Sequence, residues 1–201
     1  MKSFKLLFTI CFIFILNVEA KKIPGIIITE TDTFEVVLKV PIDFFSGKPN
    51  YPKVQNKLSY ITPRGMLTDV YPENLKEVQF TYLHKTYRFI SCLKGDFSDS
   101  PIGKNKNIFV RLICDGELKL FNYYATNLGV GYDAMPTLQY YKKDVLQKGD
   151  SRYTISSLNF EITMSKFLSN CPELLKKIQR KVLKSRNIIT IVNEYNKNCG
   201  S

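Results

Sequence analysis

The sequence contains no tryptophan and a single histidine, His84. Any nucleophile–histidine–acid arrangement would therefore have to use His84, and a zinc site of mixed Cys and His ligands would fall almost entirely on thiols. His84 lies in a short hairpin turn between two alternating segments, 77–82 and 86–92, where a solvated polar residue is ordinary. Cys-x-x-Cys, G-x-S-x-G, H-E-x-x-H, phosphate-loop, EF-hand and nucleic-acid-binding patterns are all missing. Gly129-Val130-Gly131 is a lone Gly-x-Gly outside any strand-to-helix context. No cofactor or metal is implied, and the catalytic set is empty. Without tryptophan, a sugar platform would rest on the twelve tyrosines, most of which fall at alternating strand positions that packing explains.

Long apolar runs are confined to the start of the chain. Lys2 and Lys5 precede the apolar stretch 6–16, and Val18-Glu19-Ala20 places small or branched residues where a signal peptidase cuts. The run is shorter than the ~20 residues that span a bilayer, so residues 1–20 read as a cleavable signal peptide and 21–201 as one domain. Cys11 sits inside the run, too early for lipid attachment. The expected location is periplasmic or extracellular.

Acidic residues are scarce beside basic ones, 18 against 29, for a net charge of +11. Removing Lys2, Lys5 and Glu19 leaves about +10, a charge drawn to anionic surfaces, though much of it follows from a lysine-rich composition. Lys176, Lys177, Arg180, Lys181, Lys184 and Arg186 form the densest basic cluster, either a solvated helix face or a patch for an anionic polymer or lipid headgroups. Asp96, Asp99, Asp133 and Asp144 are candidate acids for carboxylate-based hydrolysis, but their spacing along the chain assigns no pair.

Residues 21–157 read as strands. Segments 25–30, 33–40, 57–62, 66–70, 77–82, 86–92, 107–114, 117–124, 137–147 and 151–156 carry β-forming residues, many in alternation, separated by a proline-punctuated stretch at 41–52 and turn residues elsewhere. Asp115-Gly116 predicts a tight type I′ turn, and Lys148-Gly149-Asp150 a second turn of that kind. The whole is expected to give about eight strands in meander order, as an antiparallel sheet or partly closed barrel. After Ser157 the period becomes helical. Phe160, Met164, Phe167 and Leu168, then Leu174, Leu175 and Ile178 behind Pro172, then Ile188, Ile191, Val192 and Tyr195 mark three short helices, so residues 158–201 complete an α+β fold.

Four cysteines follow residue 20. Cys171 precedes the helix opened by Pro172 and Cys199 follows the last helix; antiparallel helices bring those ends together, so Cys171–Cys199 is the expected disulfide, worth about 3 to 4 kcal/mol in the chain-entropy model. Cys92 and Cys114 make a poor pair, because antiparallel strands would set residue 92 opposite 108 and residue 114 opposite 86. The same reasoning places the loops 94–106 and 125–136 at one end of the central hairpin. There Asp96, Asp99, Lys104, Lys106, Tyr132 and Asp133 form a candidate polar recognition cluster.

Tyr87-Arg88-Phe89, the run from Asp115-Gly116 to Phe121, Tyr140-Tyr141, Lys148-Gly149-Asp150, Cys171-Pro172-Glu173-Leu174 and Ile191-Val192-Asn193-Glu194-Tyr195-Asn196 form an ordered series over residues 77–199. The series is similar to a broad set of uncharacterised exported proteins of Bacteroidota. The resemblance implies a periplasmic or surface-exposed protein and brings no activity. The leading expectation is a non-enzymatic envelope protein acting through contacts with another envelope protein. A binding module for an anionic polymer or membrane surface and a carboxylate-based hydrolase stay open as alternatives. The export reading predicts a mature species beginning at Lys21 by intact mass; a mature species that keeps residues 1–20 would refute it.

Overall fold

The computed structural model describes residues 20–97, 101, 105–130 and 136–200. Ten strands form one open antiparallel sheet: β1 (Ala20–Ile28), β2 (Thr33–Pro41), β3 (Leu58–Ile61), β4 (Leu67–Val70), β5 (Glu77–Tyr82), β6 (Lys85–Leu93), β7 (Asn107–Cys114), β8 (Leu118–Val130), β9 (Pro136–Lys148) and β10 (Ser151–Thr154). Their order is β10-β9-β8-β7-β6-β5-β1-β2-β3-β4. Helix α1 (Tyr51–Asn56) interrupts the strands, and α2 (Phe160–Phe167), α3 (Pro172–Gln179) and α4 (Ile188–Asn198) follow them.

The α+β class is therefore as expected, and of the two expected arrangements the open sheet is the one formed; strand number, meander order and helix number are corrected. Among the described residues there are ten strands rather than about eight, because even the four-residue β3 and β4 pair as a hairpin over their full length. The sheet is not a barrel, since β10 and β4 stand at opposite edges. The meander breaks once: β5 returns to the far side of β1, pairing Gly25 with Phe80 and Ile28 with Glu77. The fourth helix, α1, forms within the proline-punctuated stretch. Pro52 sits in its first turn, where a missing N–H is harmless, and the Asn50 side chain accepts the Lys53 N–H at 3.2 Å.

The turns also exchange roles. Leu83 and His84, joining Tyr82 to Lys85, both take positive φ (49° and 58°), the signature expected at Asp115-Gly116. At the latter only Gly116 has positive φ, and the first pair after the bulge is Cys114 with Leu120, so the hairpin is wide. Asp115 is diverted there by Arg88, whose Nη1 donates to its Oδ2 at 2.6 Å. Gly116 lies so close to Asn196 that an added Cβ would meet that side chain at 2.6 Å.

Strand alternation sorts the core onto two faces. Tyr87, Phe89, Phe109, Leu120 and Leu146 share one face, against which α1 and the C-terminal helices pack; Val110, Phe121, Tyr123 and Val145 share the other, where Phe97 lies against Tyr123 at 4.6 Å between ring centroids. Met164, Leu168, Leu174, Ile191 and Tyr195 bring the helical stripes onto Leu118, Leu120 and Leu146. Asn159 stands at the cap position of α2 without a side-chain cap bond, its carbonyl instead accepting the Thr163 hydroxyl at 2.9 Å. Cys171 and Cys199 form the expected disulfide, with Cα atoms 5.7 Å apart, and Cys92 pairs with Ile108 in register, as expected.

Two side-chain amides fasten helices to β8. Gln55 of α1, buried, donates to the Tyr124 carbonyl (2.8 Å) and accepts the Tyr124 N–H (2.7 Å). Asn196 of α4 accepts the Leu118 N–H (2.9 Å) and donates to the Leu118 carbonyl (2.8 Å). Each amide thus takes the place of a strand neighbour. Gln55→Leu is expected to cost about 2 to 3 kcal/mol in urea unfolding, because Tyr124 then keeps a desolvated donor and acceptor. Asn196→Leu is expected to cost a similar amount, and the two losses to add.

Candidate functional site

Between α1 and α4, on the helix-bearing face, the strands floor a cleft of about 310 Å³. Its floor carries Tyr87 from β6, Arg111 from β7, Asn122 and Tyr124 from β8 and Lys142 from β9. Lys48, Tyr51 and Gln55 stand on one side and Ile189 of α4 on the other. It shares Lys48, Tyr51 and Tyr124 with a neighbouring hollow of about 620 Å³, to which Lys53 and Tyr140 contribute. Four cations and no carboxylate line the cleft itself.

Arg111 is the centre of this arrangement. Its guanidinium carbon lies 4.9 Å from the ring centroids of both Tyr51 and Tyr87, and Nη1 donates to the Tyr51 hydroxyl at 3.0 Å. Tyr124 stacks on Tyr51 at 6.0 Å with an interplanar angle of 11°. Nε of Arg111 is buried and, among the described residues, is the only buried side-chain nitrogen or oxygen without a hydrogen-bond partner. No described carboxylate pairs with this guanidinium. Burial pushes the Tyr51 phenol up to about 12 despite the opposing charge of Arg111, so near neutral pH it is no counter-ion. Burial raises Tyr124 as well.

Magnitudes favour a ligand role for Arg111 over a packing role. Cation–π contacts return about 0.5 to 2 kcal/mol, whereas partial burial of an unpaired guanidinium costs several kcal/mol. Arg88 supplies the contrast on the opposite face. It donates Nε to Glu77 Oε1 at 2.5 Å and Nη2 to Glu77 Oε2 at 3.1 Å, adds Asp115, and its pKa is raised by those partners against the pull of burial. Arg88 is a satisfied structural arginine; Arg111 holds an open charge. The one acid on the floor strands, Asp144, is taken by Asn122 and by Lys142 at 3.2 Å.

The residues singled out from sequence are placed differently. Asp96 is ion-paired to Arg152, and the Lys106 carbonyl accepts the Lys94 N–H at 2.9 Å. Asp99, Lys104, Tyr132 and Asp133 lie outside the described residues. The loop expected at 125–136 is mostly strand, since β8 runs to Val130 and β9 starts at Pro136, because the two pair through thirteen successive residues. In the basic cluster, Lys176 pairs with Glu173 at 2.8 Å and Lys177 with Glu194. Arg180, Lys181, Lys184 and Arg186 are exposed. His84 is an exposed turn residue. Cys92 and Cys114 are buried free thiols, and burial pushes Cys92 up to about 11, away from nucleophilic use.

Among the described residues no group of three His, Cys, Asp or Glu is arranged to hold a metal ion, and no helix is long and apolar enough to cross a membrane. A larger hollow of about 840 Å³ over β1, β2, β3 and β5 has Glu35 as its one charged lining residue and offers space without convergent chemistry. Arg111 escaped the sequence reading because it was counted as one more strand residue. The usable signal was its parity: it shares the inward face of 107–114 with Phe109, where a charge is out of place. No protein-family model, curated protein or solved structure matches the chain.

In a tyrosinate absorbance titration, Tyr51 is expected to ionise late, near pH 12, and Tyr51→Phe to remove that step. The folded pKa lies above the unfolded value of about 10, so the associated stability is present below pH 10 and is lost as pH rises toward 12.

Proposed function

We propose that the chain is a non-enzymatic exported binding protein that takes an anionic group, carboxylate or phosphate, in the cleft between α1 and α4. The observation that carries this reading is the Arg111 guanidinium, enclosed by two tyrosine rings with a buried Nε that has no protein partner. An oxyanion could occupy the open donors of such a fork, and charge-assisted bonds of that kind are among the strongest available to a side chain. Lys48 and Lys85 around the same cleft add attraction at longer range, Lys142 being paired with Asp144. The lining has no carboxylate, which favours binding over carboxylate-based hydrolysis. Export is supported by the leader-like residues 1–20 and fits the Cys171–Cys199 disulfide, a bond favoured in oxidising compartments.

Thermal unfolding in the presence of inorganic phosphate, compared with Arg111→Met, tests the reading. Phosphate at 100 times its dissociation constant is expected to stabilise the native protein by about 2.7 kcal/mol. Arg111→Met is expected to lose that response while unfolding at the same temperature or higher in anion-free buffer, because an uncompensated charge has been removed. An equal response in the variant would move the anion away from Arg111.

A further inference from the structure

The cleft is rimmed by a feature its own chemistry does not require. Residues 43–48 form a loop between β2 and α1 whose tip presents Phe44 and Phe45 to solvent, 67% and 87% exposed, in an edge-to-face pair with centroids 5.5 Å apart. The loop is closed by its own bonds. Asp43 Oδ1 accepts both the Ser46 N–H and the Ser46 hydroxyl at 2.8 Å, the Asp43 N–H donates to the Lys48 carbonyl at 2.8 Å, and Ile42 bridges to Pro49. The two rings are therefore held outward by a fastened turn.

The surroundings of those rings carry two lysines, Lys48 and Lys53, against the one carboxylate of the turn, Asp43. Lys48, at the base of the loop, lines both the Arg111 cleft and the neighbouring hollow, and Asp43 and Ser46 line the hollow too, so the loop and the anion site share a wall. Lys53 stands exposed on the same hollow. Adjacent aromatics at a projecting tip, beside lysines and an open guanidinium, match the layering of an anionic bilayer, with acyl chains below charged headgroups. A flat protein partner would leave a protruding tip of this kind poorly enclosed, and a soluble polymer would have no use for it.

We infer that the anion taken by Arg111 is the headgroup of a lipid, and that Phe44 and Phe45 enter the acyl boundary of an anionic membrane while the cleft binds the headgroup. This rests on the anionic reading of the cleft and adds the source of the anion. The chain would lie on the membrane rather than cross it.

Sedimentation with vesicles tests the inference, using the full exported chain and phosphatidylcholine vesicles with or without phosphatidylglycerol. The native protein is expected to pellet with the anionic vesicles and to stay in solution with phosphatidylcholine alone. Phe44→Ser with Phe45→Ser is expected to weaken vesicle binding by at least about 100-fold, roughly tenfold per ring, while keeping the native thermal response to inorganic phosphate. Arg111→Met is expected to lose the phosphate response and to bind vesicles more weakly. Undiminished vesicle binding by the double phenylalanine variant overturns the insertion. A native protein that ignores vesicles but is retained on a soluble polyuronate overturns the lipid source and leaves the anion site standing. Absence of any response to phosphate, vesicles or polyuronate overturns the site as well.

Discussion

The backbone of β8 imposes the constraint on which the cleft depends. Its even-numbered residues turn N–H and C=O groups toward β7, and buried backbone groups of this kind must find partners. The ladder with β7 supplies them only from Leu120 to Asn122, where a bulge at Leu112–Cys114 shifts the register. The groups on either side, at Leu118 and Tyr124, are met by the amides of Asn196 and Gln55. A longer β7–β8 ladder would have satisfied them without helices. The short one draws α1 and α4 onto the same face and leaves the floor between them open, which is the cleft.

The strands were legible because alternation is a local property. Val78 and Phe80 on one face of β5 and Glu77 and Gln79 on the other announce the strand without reference to any partner, and the register of Cys92 with Ile108 followed from counting. What could not be counted was long-range. The return of β5 to β1 depends on which edge is free after β4 forms, and nothing within 71–76 records that choice. Asp115-Gly116 carries the composition of a tight turn, yet Arg88 and Asn196, 27 and 81 residues away, hold Asp115 in a wider one. Leu83-His84 has unfavourable composition for positive φ and adopts it because Tyr82 pairs with Lys85. The cleft was illegible for the same reason: its donors come from α1, β6, β7, β8 and β9, and only the parity of Arg111 pointed inward.

Two arginines on neighbouring strands show how one residue type is either satisfied by its surroundings or left with an open donor. Arg88 and Arg111 project from opposite faces. The first meets a fork of carboxylate oxygens from Glu77, itself fixed by Gln79 at 2.8 Å, and its charge is spent on holding β5, β6 and the β7–β8 turn together. The second meets aromatic faces, which attract a cation without neutralising it, and while Nη1 is engaged by the Tyr51 hydroxyl, Nε has no hydrogen-bond partner. Rings therefore orient the Arg111 fork and leave it available, and the burial that makes this costly without an anion also strengthens any bond an anion forms there.

The C-terminal helices matter to the cleft through Asn196. That residue lies three positions before Cys199, and the disulfide to Cys171 anchors the end of α4 to the start of α3. A second anchor runs through Tyr195, whose hydroxyl accepts from Lys148 at 2.5 Å and donates to Glu117 at 2.9 Å, tying α4 to β9 and to the turn just before Leu118. With both in place the Asn196 amide stays in register with Leu118, and Ile189 of the same helix keeps its place on the cleft wall. Gln55 performs the equivalent task at the other end from a helix of six residues, too short to be stable by itself. Its anchor is the Asn50 cap, which directly follows the loop bearing Phe44 and Phe45. The segment that rims the cleft is thus continuous with the segment that holds it open.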